Sequence, residues 1–384
     1  MNNFIFQTVG SLIQEPGVTN RLGEIAAGAG MSRVLLVSDP GIGEIGLLDR
    51  AVAGLRSGGL EVAVFAEVLP DPPVSNIMAA VEQARGFGAD GIVGFGGGSS
   101  MDVAKLVAFL SCSNQVLSDI YGVGLAKGKR LPLILVTTTA GTGSEVTPIA
   151  IVTTGESEKK GVVAQQLLPD IALLDAELTT GLPPRITAMT GVDAMVHAIE
   201  AYTSKVKKNP ISDILACQSL KLLFDNIRIV MENGDDLEAR TQMLIGALLA
   251  GQAFANAPVG AVHALAYPIG GLYHVPHGLS NSLILPHVMR FNLPVASKEY
   301  AELGRYLFAD IGSASDLAVG AKLISALEML ITDVRLETRL SQVGIEKEAL
   351  PKIAESAMLQ TRLLINNPRE VTYEDALQIY HDAW

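Results

Sequence analysis

The chain has 384 residues, 49% apolar and 18% charged, enough for two hydrophobic cores rather than one. Acidic residues outnumber basic ones 40 to 28, and the net charge of −12 argues against nucleic acid or an anionic membrane as partner. No signal peptide opens the sequence and no apolar run is long enough to span a bilayer, so a cytoplasmic protein is expected.

Cys112 and Cys217 lie too far apart for a metal-ligand spacing and are expected as small buried residues. The first half alternates short β-branched runs with helical patterns, the mark of βαβ units. Val34–Ser38 reads as a strand ending in Asp39 and a Pro-Gly-Ile-Gly turn, Asp49–Ser57 as a helix, and Glu61–Phe65 as the next strand. A Pro-Asp-Pro-Pro loop at 70–73 precedes an amphipathic helix, Ser75–Phe87. Gly91–Phe95 is a third strand running into Gly96, Gly97, Gly98 and Ser99, with a helix from Ser100 to Leu110. Leu131–Thr137 is a fourth buried strand, followed by a polar run over 138–145, and Ile149–Thr153 and Ile171–Leu174 complete the strand signals. After Gly-Leu-Pro-Pro at 181–184, alanine, leucine and methionine recur at helical spacing almost to the end. The expected fold class is α/β: a domain of βαβ units over 1–180, then an all-helical domain over 181–384 with a break at 256–260.

The glycine turn at 96–98 lets backbone approach a pyrophosphate at a helix start, and Ser99 and Ser100 add hydroxyl donors. It is not G-x-G-x-x-G, since position 99 is serine, and a tight ligand-free turn has the same residues. Asp39, at a strand end, either holds ribose hydroxyls, which favours NAD over NADP, or caps the following turn. Thr138, Thr139, Thr142 and Ser144 are candidates to line the far half of the same cofactor.

Four of the six histidines fall within 260–287: His263, His274, His277 and His287. A fifth, His197, follows Asp193 by four residues, which stacks a carboxylate and an imidazole on one helix face. Asp193, His197, His263 and His277 read as one metal site, with His277 at a helix start. No thiolate is available, and the set suits iron(II), zinc, cobalt or manganese. His287, after Pro286, is expected in a surface loop and His381 facing solvent. His274 either faces substrate or donates a hydrogen bond to a ligand.

At this point the sequence resembles the iron-containing (group III) alcohol dehydrogenases over nearly its whole length. The carriers are Gly-Gly-Gly-Ser at 96–99 with Asp102 and Lys105, Thr-Thr-Ala-Gly-Thr-Gly-Ser-Glu-Val-Thr at 138–147, Gly-Val-Asp-Ala-Met-Val-His-Ala-Ile-Glu at 191–200, and His-Ala-Leu-Ala-Tyr-Pro-Ile-Gly-Gly-Leu-Tyr-His-Val-Pro-His-Gly at 263–278. The resemblance implies a Rossmann-like dinucleotide-binding domain followed by an all-helical one, the architecture shared with dehydroquinate synthase-like enzymes, with Asp193, His197, His263 and His277 holding Fe2+ or, in some members, Zn2+. It further implies NAD at Gly96–Ser99 and the 138–144 run, with Asp39, Asp71, Asp102 and Lys159 beside it, and a homodimer or larger assembly. Position 267, often a proton-relaying histidine in the family, is Tyr267 here. The relay then falls to the phenol, to His274 or to water.

The reaction expected is reversible hydride transfer between a small alcohol and nicotinamide, assisted by a Lewis-acidic metal. The alternative is a dehydroquinate synthase-like or glycerol-dehydrogenase-like enzyme acting on a polyol or phosphorylated substrate. The former needs basic residues around its substrate, and the 260–287 stretch has none before Arg290. A metal-free maleylacetate reductase or an inactive sensor fits the ligand set poorly.

Overall fold

The computed structural model describes residues 3–155 and 158–384. Two compact units emerge: Thr8–Gly181, and Leu182–Trp384 together with the segment up to Gln7.

In the first unit the strands are β1 Ser11–Gln14, β2 Arg33–Val37, β3 Glu61–Phe65, β4 Gly91–Gly96, β5 Gly122–Val123, β6 Leu133–Thr137, β7 Ile149–Thr154, β8 Glu158–Val163 and β9 Ile171–Leu174. The helices are α1 Leu22–Gly28, α2 Pro40–Glu44, α3 Leu47–Ser57, α4 Val74–Phe87 and α5 Gly98–Leu110. Six strands form one sheet in the order β1-β9-β6-β4-β2-β3, every pair parallel. β4 and β6 are buried at every position, as continuous apolar runs covered on both faces should be. Leu35 and Val37 pack with α4 and α5 on one face, while Val34 and Leu36 pack with α1 and α3 on the other, the period of two expected of a strand.

The winding reverses at β2. Its neighbours are β3 on one side and β4 on the other, so the chain crosses over β2 on its way through α4. The carboxyl ends of β2 and β4 carry Asp39 and Gly97, and β6 ends beside them at Thr137. In open α/β sheets this switch point is where a nucleotide ligand sits.

Several expectations change in detail. Where a turn was expected, Pro40–Glu44 is the short helix α2: Asp39 caps the Ile42 N–H and Pro40 takes the first turn, both helix-start features. β7 leaves the main sheet and pairs antiparallel with β8 in a three-stranded sheet. Cys112, expected to be buried, is exposed just beyond α5, and Cys217 is half-buried. Cys112 lies past the helix end and Cys217 on a partly covered face of a helix, and polarity alone does not reveal that.

The second unit is helical: α6 Pro184–Thr203, α7 Pro210–Glu232, α8 Leu237–Asn256, α9 Ala261–Tyr273, α10 His277–Leu307, α11 Asp316–Asp333, α12 Leu350–Met358, α13 Thr361–Leu364 and α14 Tyr373–Ala383. Proline opens α6 and α7, where its missing N–H costs nothing. α10 runs through Pro286 and Pro294 because it packs along α6 and α11; its dihedrals break only at Ala296. His287 is therefore half-buried inside a helix and not in a surface loop, whereas His381 is exposed on α14. Gln7 and Asn256 exchange two 2.8 Å bonds, the Gln7 N–H donating to Oδ1 and Nδ2 donating to the Gln7 carbonyl. No single helix among the described residues is long and apolar enough to cross a membrane.

Candidate functional site

α6 presents Asp193 and His197 one turn apart on a helix buried almost throughout from Thr187 to Thr203. α9 carries His263, and α10 begins with His277. Gly278 sets the last placement. A Cβ built there would lie 2.3 Å from the Met189 carbonyl oxygen, so only glycine lets the start of α10 approach α6 this closely. One ligand atom from each of Asp193, His197, His263 and His277 falls within 4.8 Å of the others. His277 Nε2 is 3.7 Å from Asp193 Oδ1, and the His197 ring stacks between Phe254 at 4.3 Å and His263 at 4.8 Å.

Two residues that sequence reasoning passed over complete the centre. Glu200 Oε2 lies 2.6 Å from His263 Nδ1, and its Oε1 accepts the Val262 N–H at 2.7 Å. A hydrogen held on Nδ1 leaves the His263 Nε2 lone pair facing the cluster, the usual support for a metal-bound imidazole. Asn281 Nδ2 donates to Asp193 Oδ1 at 2.6 Å and lies 3.1 Å from His263 Nε2 and 3.3 Å from His277 Nε2. The available signals were spacing alone: Glu200 three residues after His197, and Asn281 four after His277. Burial pushes the Asp193 carboxyl up, but the three imidazoles and the Asn281 amide together hold it below the usual carboxylate range.

One hard oxygen and three borderline nitrogens, three of the four side chains buried, converge on one point and form a donor set that fits a divalent transition ion. The Tyr267 ring packs 5.8 Å from His277 and 6.4 Å from His263. His274 stands apart: it ends α9 in the left-handed region, φ 55°, with its ring exposed.

In the α/β unit, Gly96, with φ 148°, ends β4, and a Cβ there would lie 2.8 Å from Ser100 Oγ and 2.9 Å from Asp39 Oδ2. Ser100 donates to that Asp39 oxygen at 2.8 Å, while Asp39 Oδ1 caps α2 at 3.2 Å. A Cβ on Gly98 would strike Thr142 Cγ2 at 2.8 Å, and one on Gly97 would approach Thr139 Cγ2 at 3.7 Å. The cradle is thus bare backbone at the start of α5, with Ser99 in its first turn, faced by threonine side chains; Thr138 Oγ1 is buried without a hydrogen-bond partner among the described residues. These features fit a bound pyrophosphate.

Asp71 and Lys159 form an ion pair at 2.5 Å, with Lys159 also donating to Thr153 at 3.1 Å. Asp102 and Ser144 also hold a buried lysine. Lys105, fully buried, donates to Ser144 Oγ at 2.6 Å and to the Ile149 carbonyl at 2.6 Å, and lies 3.3 Å from Asp102 Oδ1. Ser144 donates to Asp102 Oδ1 and the Ile151 N–H to Oδ2, so both carboxylate oxygens already serve the protein's own donors.

The family model described as "Iron-containing alcohol dehydrogenase" matches residues 10–176, and "Fe-containing alcohol dehydrogenase family, C-terminal" matches 187–384. The chain is 39% identical over 358 residues to long-chain-alcohol dehydrogenase 1 of Geobacillus thermodenitrificans, covering 92% of this chain and 90% of that protein. It is 32% identical to the NAD-dependent methanol dehydrogenase of Bacillus methanolicus, with 96% of each covered. A crystal structure of 1,3-propanediol oxidoreductase superposes with a TM-score of 0.96 at 34% identity, covering 100% of both chains. With both halves matched in order and the donor cluster assembled in the helical half, the chain belongs to the iron-containing alcohol dehydrogenase family.

Proposed function

We propose that the protein is an NAD-linked, divalent-metal-dependent dehydrogenase that interconverts a small alcohol and its aldehyde or ketone. The observation that carries this reading is the meeting of Asp193, His197, His263 and His277 within 4.8 Å. When bound, the ion supplies Lewis acidity toward the alcohol oxygen and the nicotinamide supplies the hydride acceptor. Iron(II) is the ion the family's description favours, with zinc compatible with the same donors.

The chain's own residues do the rest. Glu200 fixes the His263 ring so that Nε2 faces the centre. Tyr267, packed on two ligand rings, relays the departing hydroxyl proton, its oxygen accepting that proton as its own hydrogen passes on to solvent, a role for which the exposed His274 is less well placed. Gly96–Ser99 cradle the pyrophosphate, Thr138, Thr139 and Thr142 face it, and the Asp71–Lys159 pair borders the cofactor. Asp39 receives the ribose hydroxyls, since each carboxylate oxygen keeps acceptor capacity beyond its one bond, and its charge disfavours a 2′-phosphate. A methanol dehydrogenase named as NAD-dependent among the relatives supports the same choice. The open outer edge of β1, with Leu12 46% exposed, suits pairing with a second copy, and the free cysteines suit a cytoplasmic enzyme.

Metal-loaded protein should oxidise NADH with members of an aldehyde panel, and Asp193→Ala should lose bound metal and turnover together while staying folded. Full turnover by metal-free protein would overturn the reading. In the same assay Tyr267→Phe should lower kcat by about 10²-fold, the size of a general acid–base contribution; an unchanged kcat returns the proton to His274 or water.

A further inference from the structure

Asn281 holds an unusual position in the donor cluster. Its Nδ2 lies 2.6 Å from Asp193 Oδ1, 3.1 Å from His263 Nε2 and 3.3 Å from His277 Nε2. Glu200 holds the Nδ1 side of His263, so the Nε2 facing Asn281 is an acceptor. A carboxamide nitrogen carries two hydrogens and no lone pair to offer, so it can serve two acceptors at once, Asp193 Oδ1 and His263 Nε2, with His277 Nε2 beside them. The other end of the amide is left out. Asn281 Oδ1 is buried and has no hydrogen-bond partner among the described residues. Turning the amide over would set its oxygen against the Asp193 and His263 acceptors, so the cluster fixes the orientation at the cost of an unsatisfied carbonyl.

We propose that Asn281 is a built-in stand-in for the divalent ion, a positioning residue that keeps the ligands assembled before metal arrives. The inference rests on the metal reading of the cluster. In metal-free protein the two amide hydrogens occupy the lone pairs of Asp193 and His263, which would otherwise face one another in a buried space. The incoming ion claims those lone pairs from the amide, so its apparent affinity is the ligand set's affinity less the amide's hold. Asn281 reaches the cluster because it lies one turn beyond His277 on α10, and the helix that delivers a ligand also delivers its substitute.

The test uses metal-free full-length protein, wild type beside Asn281→Leu, which keeps the shape without the donor, and Asn281→Ala, which cannot clash. Each is titrated anaerobically with cobalt(II), following the visible absorption bands, and its unfolding temperature is measured with and without cobalt. Both variants should unfold at lower temperature than wild type when metal-free and bind cobalt about tenfold more tightly, with band positions unchanged. A variant that folds only with cobalt is the extreme form of the same result. Cobalt binding that is equal to or weaker than wild type, or a variant that cobalt cannot fold, overturns the stand-in role. If wild type itself takes up no cobalt, the metal reading fails instead, so the two failures are told apart.

Discussion

Glu145 is a carboxyl the fold would rather keep neutral. It is buried next to the glycine cradle, its Oε2 has no hydrogen-bond partner among the described residues, and burial pushes it up to about 7 against the pull of its backbone bond and of Lys105. A carboxyl raised in the folded state above its ordinary 4.5 binds more protons folded than unfolded between those values, so stability falls as pH rises through that window. The penalty is absent below 4.5 and complete above 7. Glu145→Gln should therefore gain on wild type as pH rises, by up to about 3 kcal/mol at pH 8. Urea unfolding of both proteins at pH 5 and pH 8 checks this; an equal gap at the two pH values would rule it out. At this scale the sequence was informative where residue type is itself a signal. Asp193, His197, His263 and His277 are ligand types at helical or clustered spacing, and the structure gathers all four. Glu200 and Asn281 escaped because a carboxylate and an amide on buried helices carry no mark of what they face until the helices are packed. Asp102 and Ser144 were legible as a motif, but not as partners of a buried lysine.

Between elements, the contact that matters most is α10 against α6. Adding one methyl at Gly278 would bring a carbon to 2.3 Å from the Met189 carbonyl oxygen and 2.8 Å from its carbon, so the backbones must part. Gly278→Ala should cost about 1–3 kcal/mol, typical of overpacking, and should move His277 away from Asp193. Metal content per chain should fall at least tenfold while NADH binding, read by fluorescence titration, is retained; undiminished metal content would show that α10 tolerates the shift. Strands and helices whose patterns are regular were readable: the four apolar runs from Val34 to Thr137, the amphipathic helix before Gly88, and the break between α8 and α9. What could not be read was local chemistry overridden by packing. Pro286 looked like an end of structure, yet α10 continues because α6 and α11 hold both sides of it. Asp39-Pro40 looked like a turn, although a capping carboxylate followed by proline is also how a helix begins.

For the whole molecule, the switch from alternating strands to helices near Gly181 was visible in composition, and the chain divides there into its two compact units. The N-terminal segment was not legible: it joins the helical unit with two bonds between the Gln7 backbone and the Asn256 amide, 249 positions apart, which no local pattern announces. An ion bound at a hundred times its Kd would stabilise the folded protein by about 2.7 kcal/mol. Chelation should accordingly speed amide hydrogen exchange in α6, α9 and α10 and leave β2, β4 and β6 as protected as before; uniform acceleration would contradict a cluster confined to the helical unit. One asymmetry reaches further. The side chains of Asp193 and His263 are 4% and 3% exposed, but that of His277 is 46% exposed. An ion held there should exchange on the His277 side without unfolding of the helices that carry the other three ligands. The element recovered with the purified protein should then track the supply during growth and the handling afterwards.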